Sequence, residues 1–322
     1  MEQVLKKNKV KIFFANKIVI AFLVAILLFV FGEIIFPGFM SFSHIMSVLR
    51  LSVFLGIVSL GQTLVIISGN EGIDLSVGSV LSIGVVISGY FLRGENKNIP
   101  LTLIIVLAVG FTIGLISGAS ISYLKVPPLI MTLAMASVVG GLSLIVTKGF
   151  PIGNAPPMLE VLGSGKIFSV PYIIIFWMIL AVIILFILKR TKWGAILYGI
   201  GTNNLAAELS GINTKRFRMW VYAIAASISC FAGFLLLSYT GTPYLNLGAP
   251  YIMPSVAAAT IGGVSLAGGE GNYFGTVAGC VVLTTLTSIL VALQAGESIR
   301  QIVYGTVIII LIIAYARPSR EL

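Results

Sequence analysis

Few side chains in this 322-residue chain could do acid–base, nucleophilic or metal chemistry, since it holds 10 Asp and Glu residues, one His and two Cys. His44 has no carboxylate or thiol cluster near it in sequence, whereas a metal centre needs several converging ligands. Cys230 and Cys280 lie inside the apolar runs SISCFAGF and VAGCVVLT and read as small packing residues. Gly199-Ile200-Gly201 begins like a dinucleotide turn, but it follows a charged stretch and lacks the third glycine. Gly165-Lys166 is followed by Ile167 where a phosphate-cradling loop needs Ser or Thr. With no nucleophile elbow and no zinc spacing, the expectation is a chain that is not an enzyme and holds no metal or cofactor of its own.

The exception is the acidic segment at residues 68–79, Ser-Gly-Asn-Glu-Gly-Ile-Asp-Leu-Ser-Val-Gly-Ser. Its glycines and Asn70 point to a break in a helix, with Asp74 placed to accept from the backbone N–H groups of Ser76 and Val77. Asp74 is then a helix cap at a membrane-surface turn, or part of an unwound segment lining a path through the membrane, and both readings can hold together. Glu33 and Arg50 fall near span ends and read as interfacial side chains.

The elements that position these residues follow from composition. The chain is 58% hydrophobic and 9% charged, with a mean hydropathy of +1.10, which excludes a soluble enzyme. A helix needs about 20 apolar residues to cross the roughly 30 Å hydrocarbon layer. Ten such runs occur, near 18–36, 45–68, 75–92, 101–124, 128–147, 170–188, 218–239, 251–266, 273–293 and 299–316, those at 75 and 251 being short and Gly-rich. The first run is too long for a secretion signal and lacks a small-x-small cleavage pattern.

Charge sets the orientation. With both termini cytoplasmic, 14 of the 20 Lys and Arg residues fall inside or at an inside edge, the others being Arg50, Arg93, Lys97, Lys148, Lys166 and Arg300. The net charge of +10 is therefore a topology signal, and no nucleic-acid surface is expected. The expected organisation is a basic cytoplasmic segment at 1–17, an all-α polytopic membrane domain at 18–316 and a cytoplasmic tail at 317–322. Gly110, Gly114 and Gly118, and likewise Gly271, Gly275 and Gly279, recur every four residues and read as helix-contact stripes. Gly69-Asn70-Glu71-Gly72 has a short echo in Gly268-Gly269-Glu270-Gly271.

The inside loop at 189–217 is basic at both ends and holds an Ala-rich, helix-prone stretch at 203–209, which Asn203 or Asn204 can cap and Gly211 can stop. It reads as a short helix across the cytoplasmic face, shaped to dock a partner.

Three segments now stand in order: GIDLSVGS at 72–79, GTNNLAAELSGI at 201–212 and GGVSLAGGEG at 262–271. They resemble the signatures of the ribose/xylose-type permeases of bacterial ATP-binding-cassette importers, and the likeness extends from about Ile45 to Ala316. Asn70-Glu71 and Glu270 depart from the usual pattern. The resemblance implies a dimer with a second copy or a paralogue, about ten spans per subunit, and a bacterial cytoplasmic membrane location among lipid. It further implies an extracytoplasmic solute-binding protein and cytoplasmic ATPase subunits that bind the ATP and Mg. Carried over, Gly201, Asn203, Ala206, Ala207, Ser210 and Gly211 belong to the coupling helix that contacts the ATPase, and Asp74, Ser76, Gly78 and Ser79 to the translocation path or gate. Residues 148–169 and 240–250 are expected docking surfaces for the binding protein. The implied solute is a monosaccharide or similar small polar molecule; the alternatives are a nucleoside or furanosyl signalling molecule, or an ion-coupled carrier.

Overall fold

The computed structural model describes residues 17–150 and 152–315. The expected terminal segments, apart from the backbone of Lys17, lie outside the described residues. Helices α1 (Lys17–Ile35), α2 (Phe42–Ile67), α3 (Val77–Leu92), α4 (Ile99–Tyr123) and α5 (Pro128–Thr147) are followed by the short α6 (Pro157–Ser164). A two-residue antiparallel hairpin, β1 (Lys166–Ile167) and β2 (Val170–Pro171), leads into α7 (Tyr172–Arg190). Then come α8 (Lys192–Thr202), α9 (Asn204–Leu209), α10 (Thr214–Thr240), α11 (Ile252–Ile261), α12 (Tyr273–Ala292) and α13 (Glu297–Tyr315).

The chain is an all-α, multi-pass membrane protein. Among the described residues, 7 helices are long and apolar enough to cross a bilayer: α1, α2, α4 with the 3₁₀ turn before it, α5, α7, α10 and α12. Helix α3 and the apolar stretch Ala249–Ile261, which holds α11, are shorter. Local chemistry sets the helix starts. Ser41, Thr191, Asn203, Asn213 and Asn272 cap α2, α8, α9, α10 and α12 through side-chain oxygens, and α4, α5 and α6 carry proline in the first turn.

Helices α2, α10 and α12 form the centre, while α1, α4, α5 and α7 keep most of their apolar surface outward, toward lipid. Lipid gives helices no hydrophobic reason to associate, so close backbone approach matters. Gly110, Gly114 and Gly118 lay α4 directly against Ala226–Cys230, Tyr222–Ala223 and Met219 of α10. Gly84 and Gly233 do the same between α3 and α10, as do Gly275 and Gly279 between α12 and α11. Gly271, by contrast, precedes the Asn272 cap of α12 with φ +147° and faces Val264, so it lies outside the helical stripe assigned from spacing. A buried relay from Trp177 Nε1 to Tyr273 OH (2.8 Å) and on to Gly56 O (2.9 Å) ties α7, α12 and α2 together.

One end of the bundle carries α8 and α9. Helix α1 starts there, with the ring of Phe22 tilted against that of Phe274 at the start of α12, their centroids 5.5 Å apart. Helix α13 turns back toward that end after α12, its Tyr304 hydroxyl bonded to Thr287. At the opposite end, residues 152–169 form an anchored cap: Gly94 N donates to Asn154 O (3.1 Å) and Ala155 N to Gly241 O (2.8 Å).

A Cβ at Gly114 would stand 2.3 Å from Tyr222 O, whereas Gly140 has nothing within 4 Å. Gly114→Val should therefore lower the thermal midpoint in detergent by several degrees, and Gly140→Ala should leave it near wild type. Equal midpoints for the two variants would contradict the α4–α10 contact.

Candidate functional site

The acidic segment is an irregular stretch between α2 and the short helix α3. After α2, Gly69, Asn70 and Glu71 all take left-handed backbone (φ 73°, 60° and 55°), which reverses the chain within three residues. Residues 72–76 then double back along the last turns of α2, Gly72 lying so close that a Cβ would meet Val65 O at 2.7 Å. Irregular backbone inside a membrane protein must find internal hydrogen bonds. Here the Gln62 amide faces the backbone of Asp74, and in the orientation that matches donors to acceptors its nitrogen donates to Asp74 O (3.1 Å) and its oxygen accepts from Asp74 N (3.2 Å). Thr132 of α5 accepts from Leu75 N (3.1 Å) and donates to Ile73 O (3.4 Å).

Asp74 is buried, and its Oδ1 accepts from Ser76 N (2.8 Å) and Ser76 Oγ (2.6 Å). It closes a turn two residues long, and Ser76 itself stands at the N-cap of α3 without a side-chain cap bond. The bond to Ser76 N matches the spacing argument, while none is made to Val77 N. Helix α3 thus begins inside the bundle: its Leu81 and Gly84 pack on Gly233 and Cys230, well along α10.

A second break meets it. The chain after α10 descends from the far end until Gly248 touches Gly78, with Gly248 N donating to Ser82 Oγ (2.9 Å). Helix α11 starts there and runs to the α9 end, Ala258 against Gly279 and Gly262 against Gly275. Two half-helices, α3 and α11, therefore start at one depth and leave in opposite directions. Discontinuous helices of this kind mark the transport site in many carriers. Gly78 is in the contact, Ser76 is buried beside it, and Ser79 is half-buried.

At the α9 end two glycine turns meet the glycine end of α8. Gly269 N donates to Ile67 O (2.9 Å), Gly201 leaves room for both, and Gly268 lies over Gly69. The echoing segments at 69–72 and 268–271 are thus neighbours. Tyr198 OH donates to Gly271 O (2.8 Å), adding a side-chain tie from α8.

Helix α9 rests on this junction. Asn203 Oδ1 caps it at Ala206 N (2.9 Å), Ser210 Oγ donates to Ala206 O (2.8 Å), and Gly211 follows with φ +83°. Glu208 Oε1 accepts from Thr214 Oγ1 (2.6 Å) and Asn204 Nδ2 (3.0 Å), which holds its carboxyl below the usual range. Arg218, buried at the start of α10, donates through Nη2 to Asn204 Oδ1 (3.0 Å) and to Ser68 O (3.4 Å).

Asn203, Ala206, Ser210 and Gly211 are exposed, whereas Ala207 is only 6% exposed and faces the bundle. Ala207 therefore seats the helix and is not a surface contact. The outward apolar side chains are Leu205 (66% exposed) and Leu209 (82%), one turn apart, which the motif reading passed over. Helix α8 was also missed, because Gly194, Gly199 and Gly201 make Lys192–Thr202 read as loop. Arg218, Gln62 and Thr132 carried no local signal, since their partners are distant in sequence.

Among the described residues no cation pairs with Asp74; the ion pairs there are Lys97–Glu95 and Arg300–Glu297. An Asn at this position keeps the Oδ1 acceptor without a buried charge. Asp74→Asn should retain or raise the thermal midpoint. Asp74→Ala, which strips two donors of their acceptor, should lower it by about 1–3 kcal/mol of stability. Equal loss in both variants, followed by thermal melting in detergent, would show that the charge itself holds the break.

The chain is similar to known transport proteins along this whole region. The family described as branched-chain amino acid transport system / permease component matches residues 44–312. The ribose import permease of Haemophilus influenzae is 31% identical over 300 residues, 91% of each chain, and that of Bacillus subtilis 32% over 301 residues, 92% of each. The galactose/methyl galactoside import permease of Haemophilus influenzae is 31% identical over 310 residues, covering 88% of this chain and 90% of its own. No solved structure matches. The chain thus belongs to the family of transport-system permease components, within which it is similar to the ribose-type permeases of ATP-binding-cassette importers.

Proposed function

We propose that this chain is the membrane subunit of an ATP-driven importer, forming the path for a monosaccharide or similar small polar solute that an extracytoplasmic binding protein delivers. The observation that carries the reading is helix α9. It presents Leu205 and Leu209 outward, while its Asn204 is tied through Arg218 of α10 to Ser68 at the end of α2, and Gly201 of α8 beside it packs on Ile67 and on the Gly269 turn that follows α11. A partner docked on α9 acts on the segment that leads into α3 and on the one that leaves α11.

On this reading the chain crosses ten times, two of the crossings consisting of an extended half and a helical half, 69–92 and 241–261. The α9 end is cytoplasmic, both termini are on that side, and the protein sits in a bacterial cytoplasmic membrane as one half of a permease dimer. The basic residues at 189–218 support this orientation. ATP and Mg are bound by the partner ATPase, whose cycle shifts the permease between inward- and outward-open arrangements. Asp74, Ser76, Gly78 and Ser79 line the gate. The sugar assignment follows the ribose and galactose permeases to which the chain is similar. An ion-coupled carrier is less favoured, because the only charged side chains buried among the described residues are Asp74 and Arg218.

The test is docking. Leu209→Glu should reduce co-purification of the ATPase subunit and ATP-dependent uptake at least tenfold while membrane insertion is normal. Phe168→Glu, at an exposed side chain of the opposite end, should leave ATPase co-purification unchanged. An ATPase that binds the Leu209→Glu protein as well as wild type would contradict the assignment of α9. Ala207→Arg is a weaker test, because a side chain forced into the seat of the helix would unseat α9 whatever docks on it.

A further inference from the structure

A polar cleft of about 540 Å³ opens beside α9, bounded by the break at 70–71, the α4–α5 turn at 125–128 and the start of α10. Its charged groups are Lys125, Lys215 and Arg218 against Glu71 and Glu208. Glu208 already serves Thr214 and Asn204 through one oxygen. Arg218 is 7% exposed, yet both of its hydrogen bonds leave from Nη2, and its buried Nε meets no acceptor among the described residues. A buried guanidinium with an unmet donor is costly unless a further acceptor arrives. The surrounding stretch at 189–218 adds Lys189, Arg190, Lys192 and Arg216, with Glu208 its only acid.

We propose that this cleft is a second docking point for the ATPase subunit, taking an acidic side chain of that partner between Lys125, Lys215 and Arg218. The inference rests on the reading of α9 as the ATPase's docking helix, and the cleft is continuous with that surface, since Asn204 and Glu208 of α9 form one of its walls. The carboxylate would sit against the guanidinium of Arg218, which lines the cleft, and offset the burial of its charge. Because Arg218 also holds Ser68 O at the end of α2, the same contact reports partner occupancy to the broken crossing. Leu205 and Leu209 then supply apolar docking area, and the cleft supplies charge and register.

The experiment measures affinity of the purified, detergent-solubilised chain for its purified ATPase subunit at low and high salt. Lys125 and Lys215 are exposed, so their reversal is compatible with folding. Lys125→Glu and Lys215→Glu should each weaken binding at least tenfold at low salt and flatten its salt dependence, with Arg218→Gln weaker still. Lys166→Glu, a reversal at an exposed position of the opposite end, should stay within about twofold of wild type. Tight wild-type binding that neither Lys125→Glu nor Lys215→Glu reduces would overturn the cleft proposal and leave the α9 reading standing. If wild type binds no ATPase, both fall. Loss of co-purifying anionic lipid from these variants at unchanged ATPase affinity would assign the cleft to a lipid headgroup and overturn the proposal.

Discussion

Backbone groups inside a bilayer must be satisfied by the protein itself, and this constraint organises the molecule around the irregular segments that precede its two short helices, α3 and α11. The break at 68–76 survives because Gln62 and Thr132 reach across from α2 and α5 to complete its hydrogen bonds. The break before α11 survives because Gly78 and Gly248 let two backbones touch and Ser82 accepts from Gly248 N. Glycine recurs at these crowded points because a Cβ would have to occupy the place of another residue's carbonyl.

The same constraint links the breaks to the surface. The turns at 69 and 268–269 share one contact with Gly201 of α8, so α8 and α9 cannot shift without pressing on the end of α2 and on the loop that leads into α12. Arg218 adds a side-chain tie between α9 and Ser68. A docked partner needs no long relay through the membrane: the transmitted movement reaches the unwound segment within a few residues. Two arrangements of such a segment, each internally hydrogen-bonded, suffice for alternating access.

Much of this was legible in the sequence. Apolar run lengths located the long helices, the two Gly-rich short runs hold the short helices α3 and α11, and Asn203 and Gly211 delimit α9. What stayed hidden depends on distance along the chain. That 72–76 folds back beside α2 is decided by Gln62 and Thr132, neither of which stands out in an apolar helix. A helix of six residues is too short for its period to reveal that Ala207 faces inward and Leu205 and Leu209 outward. The three glycines of α8 signalled a loop, yet Gly194 lies against Leu188 and Gly201 against Ile67 O, serving close approach within a regular helix. Gly271 fitted a four-residue spacing that the Asn272 cap interrupts.

The central claim is that energy enters at the α9 end and is spent at the breaks. The most direct measurement is solute uptake into vesicles containing the chain, its ATPase subunit and external loaded binding protein, with ATP sealed inside and ion gradients collapsed by ionophores. The account predicts uptake that requires internal ATP and is indifferent to the ionophores. Uptake that stops when the gradients collapse, or that proceeds without the ATPase subunit, would contradict it.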